Sequence, residues 1–188
     1  MAEYYLISQL PSLDGIGDGT PLPIDEERFI ELCGRFLGKK AQSEIERLTL
    51  VPPIIREKSS SALLEEWYRG ERELRLALAK VRAEKMHKSF DLQDNLISSE
   101  MIKVAGDAMD AENPLEAEML LFNHRINFLE SLRPMDNFSE DFVFYYGLKL
   151  KLIMRKREFD TKSGQGAYRN IYDFIINGDR LEAKNDRK

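Results

Sequence analysis

The chain has 188 residues, of which 43% are apolar and 32% charged. This apolar content is sufficient for a hydrophobic core and excludes a disordered chain. The 28 Lys and Arg residues are outnumbered by 33 Asp and Glu residues, and the net charge of −5 excludes the basic surplus on which nucleic-acid binding depends. The length predicts one domain, which we place at residues 1–178, followed by a polar, disordered tail at 179–188.

The first segment, from Tyr4 to Leu10, is apolar, short and stopped by Pro11. Its periodicity does not distinguish an extended strand from a first helical turn. Residues 11–23 follow with three prolines and three glycines, and this density of helix breakers predicts an irregular loop. The N-terminal residues have neither the basic residues nor the long apolar run of a signal peptide, so we expect no targeting segment and no membrane insertion.

Helix signals dominate the chain from residue 25 onward. Asp25 is a suitable N-cap for a helix that Gly38 would end, because aspartate accepts hydrogen bonds from free backbone amides and glycine tolerates the left-handed turn at a helix C-terminus. Cys33, the only cysteine, lies within this helix and is expected to be a small core residue. A second short helix is expected at 41–49, ending before Pro52.

A long, charge-rich helix is predicted next, at 62–88. The three serines at 59–61 supply hydroxyl groups that can cap its first turn, and Gly70 can divide it. Its glutamates are interleaved with basic residues, which is typical of a solvated helix face and, as a second interpretation, of a surface that docks onto a charged partner helix. The basic residues of this helix are Arg69, Arg72, Arg75, Lys80, Arg82, Lys85 and Lys88.

The clearest helix start is Asn113, which precedes Pro114 and is followed three residues later by Glu116. This is a capping box, with asparagine as the N-cap and proline in the first helical position. The helix is expected to end before Pro134, and it carries an amphipathic stripe of the kind that pairs helices. The members of the stripe are Leu115, Met119, Phe122, Ile126 and Leu129.

Asn137 and Glu140 form a second capping box, which predicts a helix at 138–158 that packs antiparallel to the preceding one. A turn at 161–166 and a final helix at 167–176 complete the predicted elements. We find no hairpin signal of the Asn-Gly type between alternating strands. The sequence therefore predicts an all-α protein, an antiparallel bundle of six to seven helices.

Glu84 and His87 have the spacing of a metal site. Three residues apart on a helix, they would lie on one face, as in di-iron bundles, which need a second copy of the motif and two more inward glutamates. His124, the other histidine, has leucine rather than glutamate three residues before it. We therefore predict no metal, no cofactor and no catalytic residue. Two alternatives stay open: a helical interaction module that dimerises through the stripe at 115–129, and a carboxylate-bundle metal enzyme that uses Glu84 and His87.

The opening of the chain, Tyr4-Tyr5-Leu6-Ile7-Ser8-Gln9-Leu10-Pro11, resembles the tyrosine–leucine–proline opening of an uncharacterised bacterial family encoded in V-type ATPase operons. More loosely, most of residues 4–176 resembles the C-type subunit of V-type and archaeal-type ATPases, which is termed d-type in eukaryotes and forms a funnel-shaped socket. Helical stretches at 71–78, 142–150 and 171–175 carry this second resemblance. The socket protein has three repeated helical lobes, and 188 residues cannot hold three full ones, so we expect a shortened relative.

The resemblance implies a non-enzymatic accessory subunit of a proton- or sodium-translocating ATPase. The socket protein sits between the soluble rotor shaft and the membrane rotor ring, so the implied partners are the subunits of the shaft and the ring, and the implied role is to couple or assemble them. The implied location is the cytoplasm, peripheral to the inner membrane through the ATPase complex. The residues we expect to contact partners are Tyr4, Tyr5, Arg69, Arg72 and Arg75.

Overall fold

The computed structural model describes residues 2–17, 20–54, 59–90 and 97–159. All of the regular secondary structure in these ranges is α-helical, which confirms the predicted all-α class. Among the helices described, none is both long and apolar enough to cross a membrane. The seven helices are α1 (Ala2–Gln9), α2 (Glu26–Phe36), α3 (Lys39–Glu46), α4 (Ala62–Lys85), α5 (Ser99–Asp110), α6 (Pro114–Ser131) and α7 (Glu140–Glu158).

The chain divides into two units, residues 1–154 and residues 155–188. The contacts described below belong to the first unit. The predicted final helix at 167–176, the turn before it and the tail at 179–188 lie outside the described residues. The extent of a single domain over 1–178 therefore stays a prediction.

The ambiguous segment at the chain start is helical, and it forms α1, which packs against α2. Leu6 is fully buried in the main hydrophobic core. Tyr4 and Tyr5, which precede it in the same helix, are exposed. α1 therefore places the leucine of the opening segment inside the protein and leaves its two tyrosines at the surface.

The irregular loop predicted after α1 is present and is bound to α7. Its described residues between Leu10 and Asp25 contain neither helix nor strand. The Tyr146 hydroxyl donates a hydrogen bond to the carbonyl oxygen of Pro11 at 2.8 Å, and Leu13 is buried in the core. The loop is therefore part of the packed body of the first unit.

The predicted N-cap of α2 is confirmed, because Asp25 Oδ1 accepts the backbone N–H of Arg28 at 2.8 Å. Cys33 is fully buried, as expected for a small core residue. Gly38 does not end α2 in a left-handed turn. The chain leaves α2 one residue earlier in an extended conformation, and Gly38, with an ordinary φ of −65°, becomes the N-cap of α3. As a result, α3 begins and ends earlier than the helix predicted at 41–49.

α4 is capped as predicted, with the Ser61 hydroxyl oxygen accepting the backbone N–H of Leu64 at 3.2 Å. The helix ends at Lys85 rather than at residue 88, because His87 adopts the left-handed conformation with a φ of 52°. The N–H of Lys88 then donates at 2.9 Å to a carbonyl oxygen of the last helical turn, the bond that closes a Schellman motif.

α4 and α5 run parallel to each other, which the predicted antiparallel bundle did not include. Glu73, in the middle of α4, accepts the backbone N–H of Ser98, the N-cap of α5, at 2.8 Å. Lys85, at the end of α4, donates to the carbonyl oxygen of Met109, near the end of α5, at 2.8 Å. The two helices therefore share one direction along this length.

α6 runs antiparallel to α4. Gly70 does not divide α4; a Cβ atom at this position would lie 2.4 Å from Cε1 of Phe128, late in α6. Further along α4, Leu74 lies in one hydrophobic cluster with Leu121, which comes earlier in α6. Glycine at position 70 thus permits a close approach of the two helices.

α7 is central to the main hydrophobic core. Its residues 143–148 are all buried, so neighbouring elements cover the helix on every side over this stretch. The predicted capping box of Asn137 and Glu140 is wrong. The Ser139 hydroxyl oxygen accepts the N–H of Phe142 at 3.2 Å, and the helix begins at Glu140 rather than at residue 138, because the nearer serine satisfies the free amide.

Candidate functional site

Three exposed aromatic rings lie together at the surface of the first unit. The ring centroids of Tyr4 and Phe138 are 4.9 Å apart, and those of Tyr4 and Tyr5 are 6.0 Å apart with the rings nearly perpendicular. The exposed fraction is 53% for Tyr4, 60% for Tyr5 and 50% for Phe138. We call these three residues the aromatic surface. Contiguous exposed apolar groups of this kind mark contact sites on proteins.

Phe138 belongs to the loop between α6 and α7, and hydrogen bonds fix its backbone. Its N–H donates to Asp136 Oδ1 at 2.8 Å, and the Ser139 hydroxyl donates to the Asp136 carbonyl oxygen at 2.8 Å. Met135 in the same loop is fully exposed. The sequence pattern placed Phe138 in the first turn of a helix at 138–158. The turn-forming residues around it are the signal that indicates a loop position instead.

Carboxylates flank the aromatic surface. Asp136 and Glu140 are exposed and lie on either side of Phe138 along the chain. Partial burial, together with the negative charges of Glu3 and Asp141 and of a glutamate on α3, raises the pKa of Glu140. The surroundings of the aromatic surface are therefore negatively charged.

The basic residues of α4 lie among glutamates of the same helix. Arg69 pairs with Glu66 one turn before it, and Arg75 Nε lies 3.9 Å from an oxygen of Glu71. Among the described residues, no contact joins these arginines to the aromatic surface. The salt bridges of Arg69 and Arg75 agree with a solvated helix face. Arg72 is half-buried, and its Nη1 is buried without a hydrogen-bond partner among the described residues. The contact of these arginines with a partner stays a prediction. The α4 residues predicted to contact partners are Arg69, Arg72 and Arg75.

A buried ion pair joins α4 to α6. Arg125 Nε donates to Glu71 Oε1 at 2.7 Å, and the two side chains are only 10% and 3% exposed. Burial lowers the pKa of the adjacent His124, so this imidazole is neutral at physiological pH. The sequence pattern did not predict the pair, because Arg125 stands among the apolar residues of the stripe and its partner is on another helix.

Lys149 on α7 connects the loop after α1 to α6. Its Nζ donates to Asp14 at 2.6 Å and to Glu130 at 2.7 Å, and its side chain is 11% exposed. The Tyr145 hydroxyl donates to the same Glu130 carboxylate at 2.7 Å. Burial alone would lower the pKa of Lys149, but these hydrogen bonds outweigh burial and raise it. Lys149 therefore stays charged and holds the three elements together.

A groove of about 780 Å³ lies beside α3 and the start of α4. Lys40 and Glu44 line it, together with residues of the segment 49–54. The carboxylate of Glu44 accepts hydrogen bonds from the hydroxyls of Ser59 and Ser60, each at 2.6 Å. These bonds give Glu44 a structural role in holding the start of α4, and we assign no ligand to the groove.

The residues considered for metal binding do not form a site. Glu84 is in the last turn of α4, whereas His87 lies beyond the helix end in the left-handed conformation, so the predicted pair on one helical face is wrong. Within the described ranges, no group of three or more His, Cys, Asp and Glu side chains is placed to hold a metal ion. Burial raises the pKa of Cys33 to about 12, which keeps its thiol protonated.

The stripe at 115–129, considered for dimerisation, is used inside the chain. Leu129 is fully buried, and Phe122 and Ile126 pack against the same hydrophobic core. The stripe is therefore covered over much of its length by the chain itself. Leu115 and Met119, the first two members of the stripe, are half-buried, and dimerisation through it stays a prediction.

Comparison with known proteins does not identify a family. No family model, curated protein or solved structure matches this chain. The resemblance of residues 4–11 to the family encoded in V-type ATPase operons therefore stays a prediction. The aromatic surface, in which this segment takes part, is the structural feature from which a function can be argued.

Proposed function

We propose that this chain is a non-catalytic protein that contacts other proteins through the aromatic surface, and that its partners are subunits of a V-type ATPase. The observation that carries the proposal is the exposure of Tyr4 and Tyr5, the residues that open the segment resembling the ATPase-operon family. α1 buries Leu6 of the same segment but leaves both tyrosines outside the core. Because the core does not need them, a contact at the surface accounts for their presence.

The residue types of the aromatic surface suit a protein contact. Tyrosine and phenylalanine bury large areas and are enriched at the centres of interfaces. The rings of Tyr4 and Phe138 already contact each other, although they come from α1 and from the loop before α7. Because these two rings already pack against each other, binding has less side-chain freedom to remove than it would at two isolated rings.

On this proposal the chain couples or assembles the rotor shaft and the membrane ring, and it reaches the inner membrane from the cytoplasm through the ATPase complex. A part that links two subunits must resist deformation. Two interactions support such a role. The buried pair of Glu71 and Arg125 joins α4 to α6, and Lys149 joins α7 to α6 and to the loop after α1.

Affinity purification from detergent-solubilised host membranes tests the proposal. We expect the tagged chain to co-purify with the proteins of the shaft and the ring, and the variant Tyr4→Ala/Tyr5→Ala to lose most of them. The matched control is Val51→Ala/Ile54→Ala, which removes two exposed hydrophobic side chains from the segment between α3 and α4. Circular dichroism establishes that each variant is folded.

Two results contradict the proposal. A folded wild-type chain that recovers none of the ATPase subunits excludes the named partners. Equal recovery by the wild type and by Tyr4→Ala/Tyr5→Ala excludes the aromatic surface as the contact. Sedimentation decides the alternative of a homodimer: a dimer that Tyr4→Ala/Tyr5→Ala dissociates would mean that the surface binds a second copy of this chain.

A further inference from the structure

Serine hydroxyl groups donate hydrogen bonds to two carboxylates near Glu140, those of Glu44 and Asp141. Glu44 accepts hydrogen bonds from the hydroxyls of Ser59 and Ser60 at 2.6 Å each, and Asp141 accepts one from the hydroxyl of Ser61 at 2.5 Å. A hydroxyl group stabilises a carboxylate but leaves its charge in place. These serines therefore fix the positions of two negative charges close to Glu140, on whose pKa both charges act.

Two cationic side chains of neighbouring elements, Lys40 and Arg133, do not cancel the effect of the carboxylates on Glu140. Lys40 lowers the pKa of Glu140, but burial and the neighbouring carboxylates outweigh it. The guanidinium group of Arg133 lies 5.9 Å from the ring centroid of Phe142 and 5.8 Å from that of Tyr145, so it is engaged with rings outside the aromatic surface. Exposed rings and the carboxylates of Asp136 and Glu140 are thus found together.

We infer that the segment bound at the aromatic surface is basic, a helix or loop of a protein partner that presents Arg or Lys side chains to the three rings and to Asp136 and Glu140. The inference rests on the proposed function and adds the chemistry of the partner to it. A cation is attracted to the face of an aromatic ring, and an arginine can also stack on the ring and bind a carboxylate through two hydrogen bonds. An aromatic ring and a carboxylate are adjacent here, because the carboxylate of Asp136 accepts a hydrogen bond from the backbone N–H of Phe138.

Peptide binding to the full chain tests the inference without knowledge of the partner. The probes are a fluorescein-labelled amphipathic peptide of arginine and leucine, and a peptide of equal length in which glutamate replaces every arginine. We expect the arginine peptide to bind with an affinity that falls as salt is added, because exposed charges are screened, and the glutamate peptide not to bind. Equal binding of both peptides, binding of neither or preference for the glutamate peptide overturns the inference.

Charge reversal locates the binding site. Asp136→Lys/Glu140→Lys is expected to weaken binding of the arginine peptide about tenfold, because complementary charges turn repulsive. The control Asp107→Lys/Glu112→Lys makes the same change of charge at exposed positions of α5 and the turn after it. If both variants weaken binding alike, the peptide responds only to the net charge of −5, and the inference is wrong. Asp136→Asn/Glu140→Gln replaces the reversal variant if the latter does not fold.

The outcomes separate this inference from the proposed function. If ATPase subunits are recovered equally with the wild type and with Asp136→Lys/Glu140→Lys, the proposed function stands and the basic partner segment is wrong. If the arginine peptide binds at the aromatic surface but none of the ATPase subunits is recovered, the basic segment stands and the proposed partner fails.

Discussion

At the scale of single residues, close packing between helices decides what a glycine does. A Cβ atom at Gly70 would lie 2.4 Å from the ring of Phe128, and one at Gly147 would lie 2.7 Å from Leu48. At Gly106, such a Cβ atom would meet no atom of the described residues within 4 Å apart from its chain neighbours and the backbone of its own helix. Helix propensity favours alanine at all three positions, so any difference between them measures packing.

We predict opposite effects for alanine at two of these positions. Gly106→Ala is expected to raise the free energy of unfolding by up to about 1 kcal/mol, because alanine is the better helix former. Gly70→Ala is expected to lower it by about 1–3 kcal/mol, since the added methyl group must displace the Phe128 ring from its stack on Trp67. Urea titration measures both changes. A stabilised Gly70→Ala would mean that the ring moves aside without cost.

Local signals were sufficient to predict the N-caps of α2, α4 and α6, but not the cap of α7 or the packing of the helices. Asp25, Ser61 and Asn113 each accept a backbone N–H three residues later, so the sequence around each cap contains everything that forms it. The sequence left open a break of α4 at Gly70, because the ring that fills the space beside this glycine comes from another helix. The contact of Phe138 with Tyr4 was missed for the same reason, since Tyr4 belongs to α1 and is far from Phe138 in the sequence.

At the scale of helices, the direction of α5 shows where sequence patterns stop being informative. Amphipathic periodicity and caps predict that helices exist and where they begin. The parallel direction of α4 and α5 is seen in two hydrogen bonds, one at Glu73 and one at Lys85. Both bonds join residues of different helices, so nothing in the local pattern of either helix indicates them.

Removal of Arg125 is expected to weaken the contact of α4 with α6. Arg125→Met leaves the buried carboxylate of Glu71 without its main partner, and we expect a loss of about 3 kcal/mol in the free energy of unfolding. The double variant Glu71→Leu/Arg125→Met removes both charges and should recover most of that loss. Denaturant titrations of Arg125→Met, Glu71→Leu and the double variant give the coupling energy. An equal loss in Arg125→Met and in the double variant would show that the arginine acts by packing alone.

At the scale of the whole molecule, the pairing of two carboxylates with Lys149 makes the free energy of unfolding depend on pH. The hydrogen bond from Lys149 lowers the pKa of Asp14. Burial acts in the opposite direction at Glu130, but hydrogen bonds from Lys149 and Tyr145 outweigh it, and the pKa is lowered there too. A carboxylate with a lowered pKa stabilises the folded state above its unfolded-state pKa, and this contribution disappears as the pH falls through the folded-state pKa.

We therefore predict that Lys149→Met lowers the free energy of unfolding at neutral pH by about 1–2 kcal/mol, as expected for hydrogen bonds to charged groups. The difference from the wild type should narrow as the pH falls below about 4, where the carboxylates become protonated in both proteins. Urea titrations of both proteins at a series of pH values measure this difference in the free energy of unfolding. Lys103→Met, at an exposed position of α5, is the control. A difference that is independent of pH would mean that Lys149 stabilises by packing.

The single cysteine, Cys33, allows opening of the fold to be followed by chemical labelling. Cys33 is fully buried in α2, and burial raises its pKa to about 12, so a thiol reagent can modify it only after α2 has left the core. We expect labelling in native buffer to proceed at the rate of opening and to become rapid in denaturant; rapid labelling in both would contradict this. Because α1 packs against α2, a partner that holds Tyr4 and Tyr5 should slow the reaction. Partner binding could then be timed on the unmodified sequence, without an introduced probe.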